Sequence, residues 1–384
     1  MENRPFRVGI SGSYGGLNLG DEAILEGIVT QLRASMPVEI TVFSRNAEDT
    51  QRRHQVERAV PVRDLTRNEA RQEVDRLDAL ILGGGGILFD GEVEVYLREV
   101  LLAHELGVPV MVYAVSAGPL TQRSSRELVR QALEQAALIT VRDRHGRRLL
   151  EEIGLHQVIH LTADPALLLQ AQALPEDALT REGLDPPRRR IGFSVREPGP
   201  AAPGMSVDHY HDLLANAADF MAERLDADVV FVPLERGNLD LQHSHAVISR
   251  MQCAQRATVL KGEYSPGQLM KLIGQFEFCV GMRLHFLIFS ALQSVPFVAL
   301  PYASKVAGLL QDLEMDMPPL GDVNSGRLLA TIDHSWDYRA NVRDRIQERL
   351  PVLQDRAREN NRLLEFLLNQ RGHRAAADKA QSGS

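Results

Sequence analysis

The sequence has almost no cysteine: Cys253 and Cys279 are the two in 384 residues, and they lie in unrelated segments. That excludes a disulfide framework and a paired-cysteine metal site, and it suits a reducing compartment. No uninterrupted apolar run of about 18 residues is present, so no bilayer-spanning helix is expected. The opening residues, MENRPFRVGISG, pass straight into a strand pattern without the basic region and long apolar stretch of a secretory leader. The expectation is a cytoplasmic protein that visits a membrane surface from outside if its substrate is a lipid. Positive charge is not in excess either: Lys plus Arg is 43 against 51 for Asp plus Glu, a formal charge of -8. That argues against a general binder of nucleic acid or anionic membrane, while leaving room for a local basic pocket.

Familiar catalytic signatures are missing as well. There is no H-E-x-x-H, no C-x-x-C and no G-x-S-x-G, and the pair HSH at 243–245 falls in a predicted helix where alternate residues diverge. No metal and no cofactor are expected, and the usual hydrolase nucleophile is absent.

What the chain does have is alternation. Short β-rich runs (RVGIS, EITVFS, DALILGGG, PVMVYAV, LITVRD, VIHLT) alternate with longer helical patterns from residue 6 to about 165, as in βα units on a largely parallel sheet. Residues 170–190 are polar and carry three prolines, which reads as a linker. The pattern then restarts with RIGFSVR, DVVFVPL, TVL and FEFCVG, each followed by a helical stretch. The expected organisation is a Rossmann-like N-terminal domain over 1–169, the linker, and a second Rossmann-like domain over 191–340, with a cleft between the two. A helix pair interrupted by Pro351 would follow over 341–370, then a disordered tail over 371–384.

Parallel sheets place ligands at the carboxyl ends of their strands, and the polar residues cluster there. SGSYGGLNLGDEA, residues 11–23, is a glycine-rich turn that either approaches a ligand closely or is simply capped by Asn18 or Asp21. Gly83 to Gly86 follow the next strand run, with Gly84 and Gly85 at the centre of what is either a ligand-lining loop or a tight turn. Four cations stand after four predicted strands: Arg142, Arg196, Arg283 and Lys305. A single arginine in such a place is ordinarily a surface ion pair. Four, in an otherwise acidic protein, point to one cleft and a small polyanion, because arginine forks suit carboxylate and phosphate. His285, two residues beyond Arg283 at a predicted helix start, is then a proton donor; by itself it would read as a core histidine bonded to backbone.

The motifs SGSYGGLNLGDEAIL, GGGGILFD, AVSAGPL, TVRDRHGRRLLEEIGL, LTADPALLL and GMRLHFLIFSALQSVPFVALPYASKV resemble, in order and over roughly residues 8–315, the polysaccharide pyruvyl transferase family. Gly146, Ser116, Ala117 and the sequence YASK depart from the family's usual residues, but none of these changes removes a cation. The resemblance implies two Rossmann-like domains similar to the type B glycosyltransferase fold. It also implies transfer of the pyruvyl unit of phosphoenolpyruvate onto two hydroxyls of a sugar, forming a cyclic ketal. It places Arg142, Asp164, Arg196, Arg283, His285 and Lys305 in the active site; for that chemistry His285 is the natural acid, Asp164 takes a proton from an acceptor hydroxyl or orients the sugar, and the cations bind substrate. Phosphoenolpyruvate would sit on the second domain and the acceptor, free, polymeric or carrier-linked, on the first. Two other readings share these parts: a type B glycosyltransferase using a nucleotide sugar, and a non-catalytic anion- or sugar-binding protein.

Overall fold

The computed structural model describes residues 4–198, 204–235, 239–315 and 320–382. The chain divides into two compact units, Met1–Gly16 with Ile24–Leu168 and Leu353–Ser384 in one, Leu17–Ala23 with Leu169–Val352 in the other.

The first unit is built on β1 (Phe6–Ser11), α1 (Leu19–Ser35), β2 (Val38–Ser44), α2 (Ala47–His54), β3 (Arg58–Pro61), α3 (Arg67–Asp75), β4 (Ala79–Leu88), α4 (Val93–Leu106), β5 (Val110–Ala117), α5 (Arg123–Glu134), β6 (Leu138–Val141), α6 (Arg144–Glu152) and β7 (Ile159–Leu161). Its seven strands are ordered β3-β2-β1-β4-β5-β6-β7, every neighbouring pair parallel. Strands covered on both faces should be apolar throughout rather than alternating, and β5 is buried at every position. Helix ends follow local chemistry. Asp21 and Glu22 lie in the first turn of α1 and Arg33 in its last, matching the helix dipole. Asp143 caps α6 by accepting from the Gly146 amide at 2.7 Å.

The second unit carries α7 (Ala178–Arg181), β8 (Arg190–Ser194), α8 (Val207–Arg224), β9 (Asp228–Phe231), α9 (Leu239–Ile248), β10 (Ala257–Val259), α10 (Pro266–Ile273), β11 (Phe278–Gly281), α11 (Leu284–Leu292), β12 (Phe297–Ala299), α12 (Ser304–Asp312) and α13 (Ser325–Asp337). Its sheet, also parallel, runs β10-β9-β8-β11-β12.

Several boundaries differ from the sequence expectation. The glycines Gly83 to Gly86 do not follow a strand; they lie inside β4, and all but Gly86 are buried. Gly84 and Gly85 have φ of 29° and 90°, and a Cβ on Gly84 would overlap Ile24 Cγ2, so packing and backbone conformation demand glycine there. The segment 170–190 is not a bare linker. It includes α7, and the buried Glu182 beyond it accepts from the Lys261 and Gly262 amides at 2.8 and 2.6 Å and from the Tyr264 hydroxyl at 2.7 Å. The expected helix pair and disordered tail are one helix, α14 (Arg339–Ser382), with Pro351 inside it. Ile346 and Leu353 are buried on either side of the proline, so tertiary burial holds the helix through it, and the alanines of the tail are strong helix formers. Residues 383–384 lie outside the described residues. Strand β3 was not evident in the sequence because RAVP is too short to show a period.

Candidate active site

In the second unit, β8, β11 and β12 are neighbours, and the register pairs Gly281 with both Ser194 and Ala299. Three carboxyl ends therefore stop level. The residues just past them are Arg196, then Met282 to His285, then Tyr302 to Lys305.

Tyr302 sits at the centre of this group. The Arg196 guanidinium lies 4.4 Å from its ring centroid and the Lys305 ammonium 5.7 Å. Burial pushes the phenol up, but Lys305, Arg196 and Arg283 outweigh burial and bring it down to about 8. The sequence reading passed over Tyr302, although it stands in the Y-x-x-K run that was noticed; an aromatic residue after a strand carries no signal of the charges that fold around it.

The cations are not equivalent. Arg283 hydrogen-bonds Asp240 through Nε at 3.0 and 3.1 Å and through Nη2 at 2.5 Å, and Nη2 also reaches Glu235 at 2.6 Å. Asp240 is fully buried and accepts from the Leu234 and Glu235 amides at 3.2 Å each. Burial opposes the charge on Arg283, yet Asp240 more than compensates and holds it above the usual arginine range. Arg283, expected as an anion ligand, is engaged by two carboxylates through Nε and Nη2, and these hold the loop that carries His285. Arg196 bonds its neighbour Glu197 at 2.5 Å, and its Nε is buried without a partner among the described residues. Lys305 makes no ion pair among the described residues. Past this sheet, Arg196 and Lys305 are thus less engaged by carboxylates than Arg283.

His285 is the second residue of α11 and half-buried. A Cβ on Gly20 would overlap its ring, which accounts for glycine at that place in the first loop. Asn18 and Asp21, expected with the first domain, fall in the segment that belongs to the second unit. Asn18 forms an antiparallel bridge with Glu235, and the Leu19 amide donates to the Leu234 carbonyl at 2.9 Å. Asn18 Oδ1 accepts from the Gly20 amide at 2.9 Å, so it closes the turn into α1.

Arg142 and Asp164 lie in the first unit and bond each other at 2.5 Å with side chains 3% and 5% exposed. Asp164 also accepts from the Ala166 amide at 3.0 Å. The structure brings these two together as a buried pair. Their sequence positions, Arg142 directly after β6 and Asp164 three residues beyond β7, mark strand ends. The first unit also holds a cavity of about 340 Å³ beside the carboxyl ends of β1, β2 and β3, walled by α4. Among the described residues no group of three or more His, Cys, Asp or Glu is placed to hold a metal ion.

Two parallel α/β units with these strand orders define the class: Rossmann-like sheets of the type B glycosyltransferase kind. Solved structures of that kind are similar over nearly the whole chain. An S. aureus MnaA–UDP co-structure has a TM-score of 0.62 at 10% identity, covering 90% of this chain and 91% of that one. UDP-GlcNAc 2-epimerase from Neisseria meningitidis bound to UDP-GlcNAc has a TM-score of 0.60 at 10% identity, covering 94% and 99%. A glycosyltransferase from Rickettsia africae has a TM-score of 0.59 at 10% identity, covering 97% of each. No curated protein matches the sequence. The chain belongs to the polysaccharide pyruvyl transferase family, whose profile matches residues 18–304.

Proposed function

We propose that the protein transfers the pyruvyl group of phosphoenolpyruvate onto two hydroxyls of a sugar in a polysaccharide or its precursor, forming a cyclic ketal and releasing phosphate. Family membership supports a transferase of polysaccharide synthesis. The observation that carries the choice of donor is the cation group past β8 and β12, where Arg196 and Lys305 flank Tyr302 and retain capacity for a carboxylate and a phosphate.

His285 delivers a proton to the methylene carbon of the enol while one acceptor hydroxyl bonds to the adjacent carbon. That hydroxyl's proton then returns to the imidazole. The second hydroxyl displaces phosphate from the same carbon, and its proton leaves with the phosphate, so atoms and charge balance. General acid catalysis of this kind contributes roughly 100- to 10,000-fold, and Arg196 and Lys305 stabilise the departing phosphate. Arg283 acts by positioning: Asp240 and Glu235 hold its side chain, and its backbone leads into the helix that presents His285. Arg142 and Asp164 remain on the acceptor side as a pair.

The test is thermal stability with phosphoenolpyruvate and with uridine diphosphate, on wild type and Lys305→Ala. A ligand at about 100 times its dissociation constant adds roughly 2.7 kcal/mol. Stabilisation by phosphoenolpyruvate that is lost in the variant is the expected result. Stabilisation by uridine diphosphate alone would replace this reading with glycosyl transfer from a nucleotide sugar.

A further inference from the structure

The cavity in the first unit is not used by the chemistry above. Its floor is Ser11 at the end of β1 and Glu99 on α4, whose carboxyl accepts from the Ser11 hydroxyl at 3.2 Å and from Arg98 Nε at 2.7 Å. Glu99 is 1% exposed, and burial raises its pKa despite Arg98. One wall is apolar, made by Val62, Val95 and the Tyr96 ring. Arg45 and Arg63 stand at the carboxyl-end loops of β2 and β3.

The arginines divide by engagement. Arg98 is engaged through all three nitrogens, because beyond Glu99 it donates to the Val62 and Leu65 carbonyls at 2.6 and 3.3 Å. Arg45 reaches the Tyr96 hydroxyl at 2.6 Å and the Ser13 hydroxyl at 3.0 Å, both neutral partners, with Glu92 at 3.9 Å. Arg63 is exposed and has no carboxylate partner among the described residues. The site therefore offers an apolar face, a buried carboxyl and hydroxyl for ring hydroxyls, and a planar cation unclaimed by any carboxylate. Glu94 also lines the cavity and makes it unsuited to a bare polyanion, since a carboxylate facing a ligand rich in charge would repel it.

From this we infer that the cavity binds one glycosyl unit that bears a single acidic group, a carboxylate or a phosphate, as a subsite for the saccharide acceptor. The pyranose ring lies against Tyr96 and Val62, its hydroxyls meet Ser11, Glu94 and Glu99, and its acidic group meets Arg63 with Arg45 beside it. A volume of about 340 Å³ suits one monosaccharide rather than an oligomer. The inference rests on the pyruvyl transfer reading for the word acceptor, but the binding itself does not depend on it.

The experiment is saturation-transfer NMR on the full chain with glucuronic acid, glucose 6-phosphate and glucose. Either acidic sugar is expected to bind at least several-fold more tightly than glucose; glucuronic acid alone would identify a carboxylate as the acidic group, glucose 6-phosphate alone a phosphate. Val95→Trp, at a position 42% exposed, fills the cavity and should reduce binding more than 10-fold. Arg63→Ala, on an exposed loop, should bring the acidic sugars down to the level of glucose. No binding by either acidic sugar, equal binding by glucose, or undiminished binding in both variants would overturn the inference. Melting shifts with phosphoenolpyruvate on the same samples separate the two ideas: their absence in wild type would remove the donor reading and leave the subsite intact.

Discussion

Tyr302 makes the proposed donor site sensitive to pH. Its folded pKa of about 8 lies below the value of roughly 10 for an unperturbed phenol. The stability gained by the phenolate is thus present above pH ~10 and lost as pH falls through about 8, so near neutrality the phenol is uncharged and adds no negative charge beside Lys305 and Arg196. Phosphoenolpyruvate and the phenolate would compete for those cations. Calorimetric titration should show affinity falling between pH 7 and 9 in wild type and staying level in Tyr302→Phe; a level wild-type profile would remove Tyr302 from the site. The two kinds of cation should also part. Asp240→Ala leaves Arg283 buried with one partner gone and should cost about 3–5 kcal/mol of stability in denaturant unfolding. Lys305→Ala should change stability by less than about 0.5 kcal/mol while weakening phosphoenolpyruvate by about 10-fold or more.

At the scale of elements, helices α8 and α9 meet through His211 and His243, whose Nε2 and Nδ1 lie 2.7 Å apart. Burial lowers both pKa values, and the two rings repel each other's charge; Arg250, Asp208 and Asp212 face His211, while Glu197, Asp240 and Arg196 face His243. Both rings are held neutral in the folded state, so their contribution is present above the unfolded value near 6.5 and is lost as pH falls below it. Melting temperature should drop between pH 6.5 and 5 by more in wild type than in His211→Gln. Pro351 offers a second test. It removes one hydrogen bond from α14, and Pro351→Ala should stabilise the protein, by up to about 3 kcal/mol, measured by urea unfolding.

The same scale explains what could be read in advance. Apolar runs and the turns between them located every strand but β3 because burial on both faces imposes a composition on a strand. The positions of Arg196, Arg283 and Lys305 followed from those strand ends. What those residues do did not follow, since the carboxylates that occupy Arg283 come from residues 235 and 240, far away in sequence and undistinguished there. The glycines of β4 misled for a related reason: positive φ inside a strand has the same composition as a loop. Pro351 marks a break by local propensity alone, whereas the burial of Ile346 and Leu353 on either side of it carries the helix through.

For the whole molecule, the decisive feature is that neither unit is one continuous stretch of chain. Residues 17–23 count with the second unit and Leu353–Ser384 with the first. Asn360 on α14 shows what the last stretch supplies: its Oδ1 accepts from the Thr140 and Thr162 hydroxyls at 2.5 and 2.8 Å, and its Nδ2 donates to the Ala163 carbonyl at 3.1 Å. Leu364 and Leu368 on the same helix are buried. During synthesis all seven strands of the first sheet leave the ribosome before any of these residues exists. The nascent first unit must therefore wait, unfinished and with apolar surface uncovered, until the second has been translated. A chain stalled at residue 352 should be held by chaperones and digested readily.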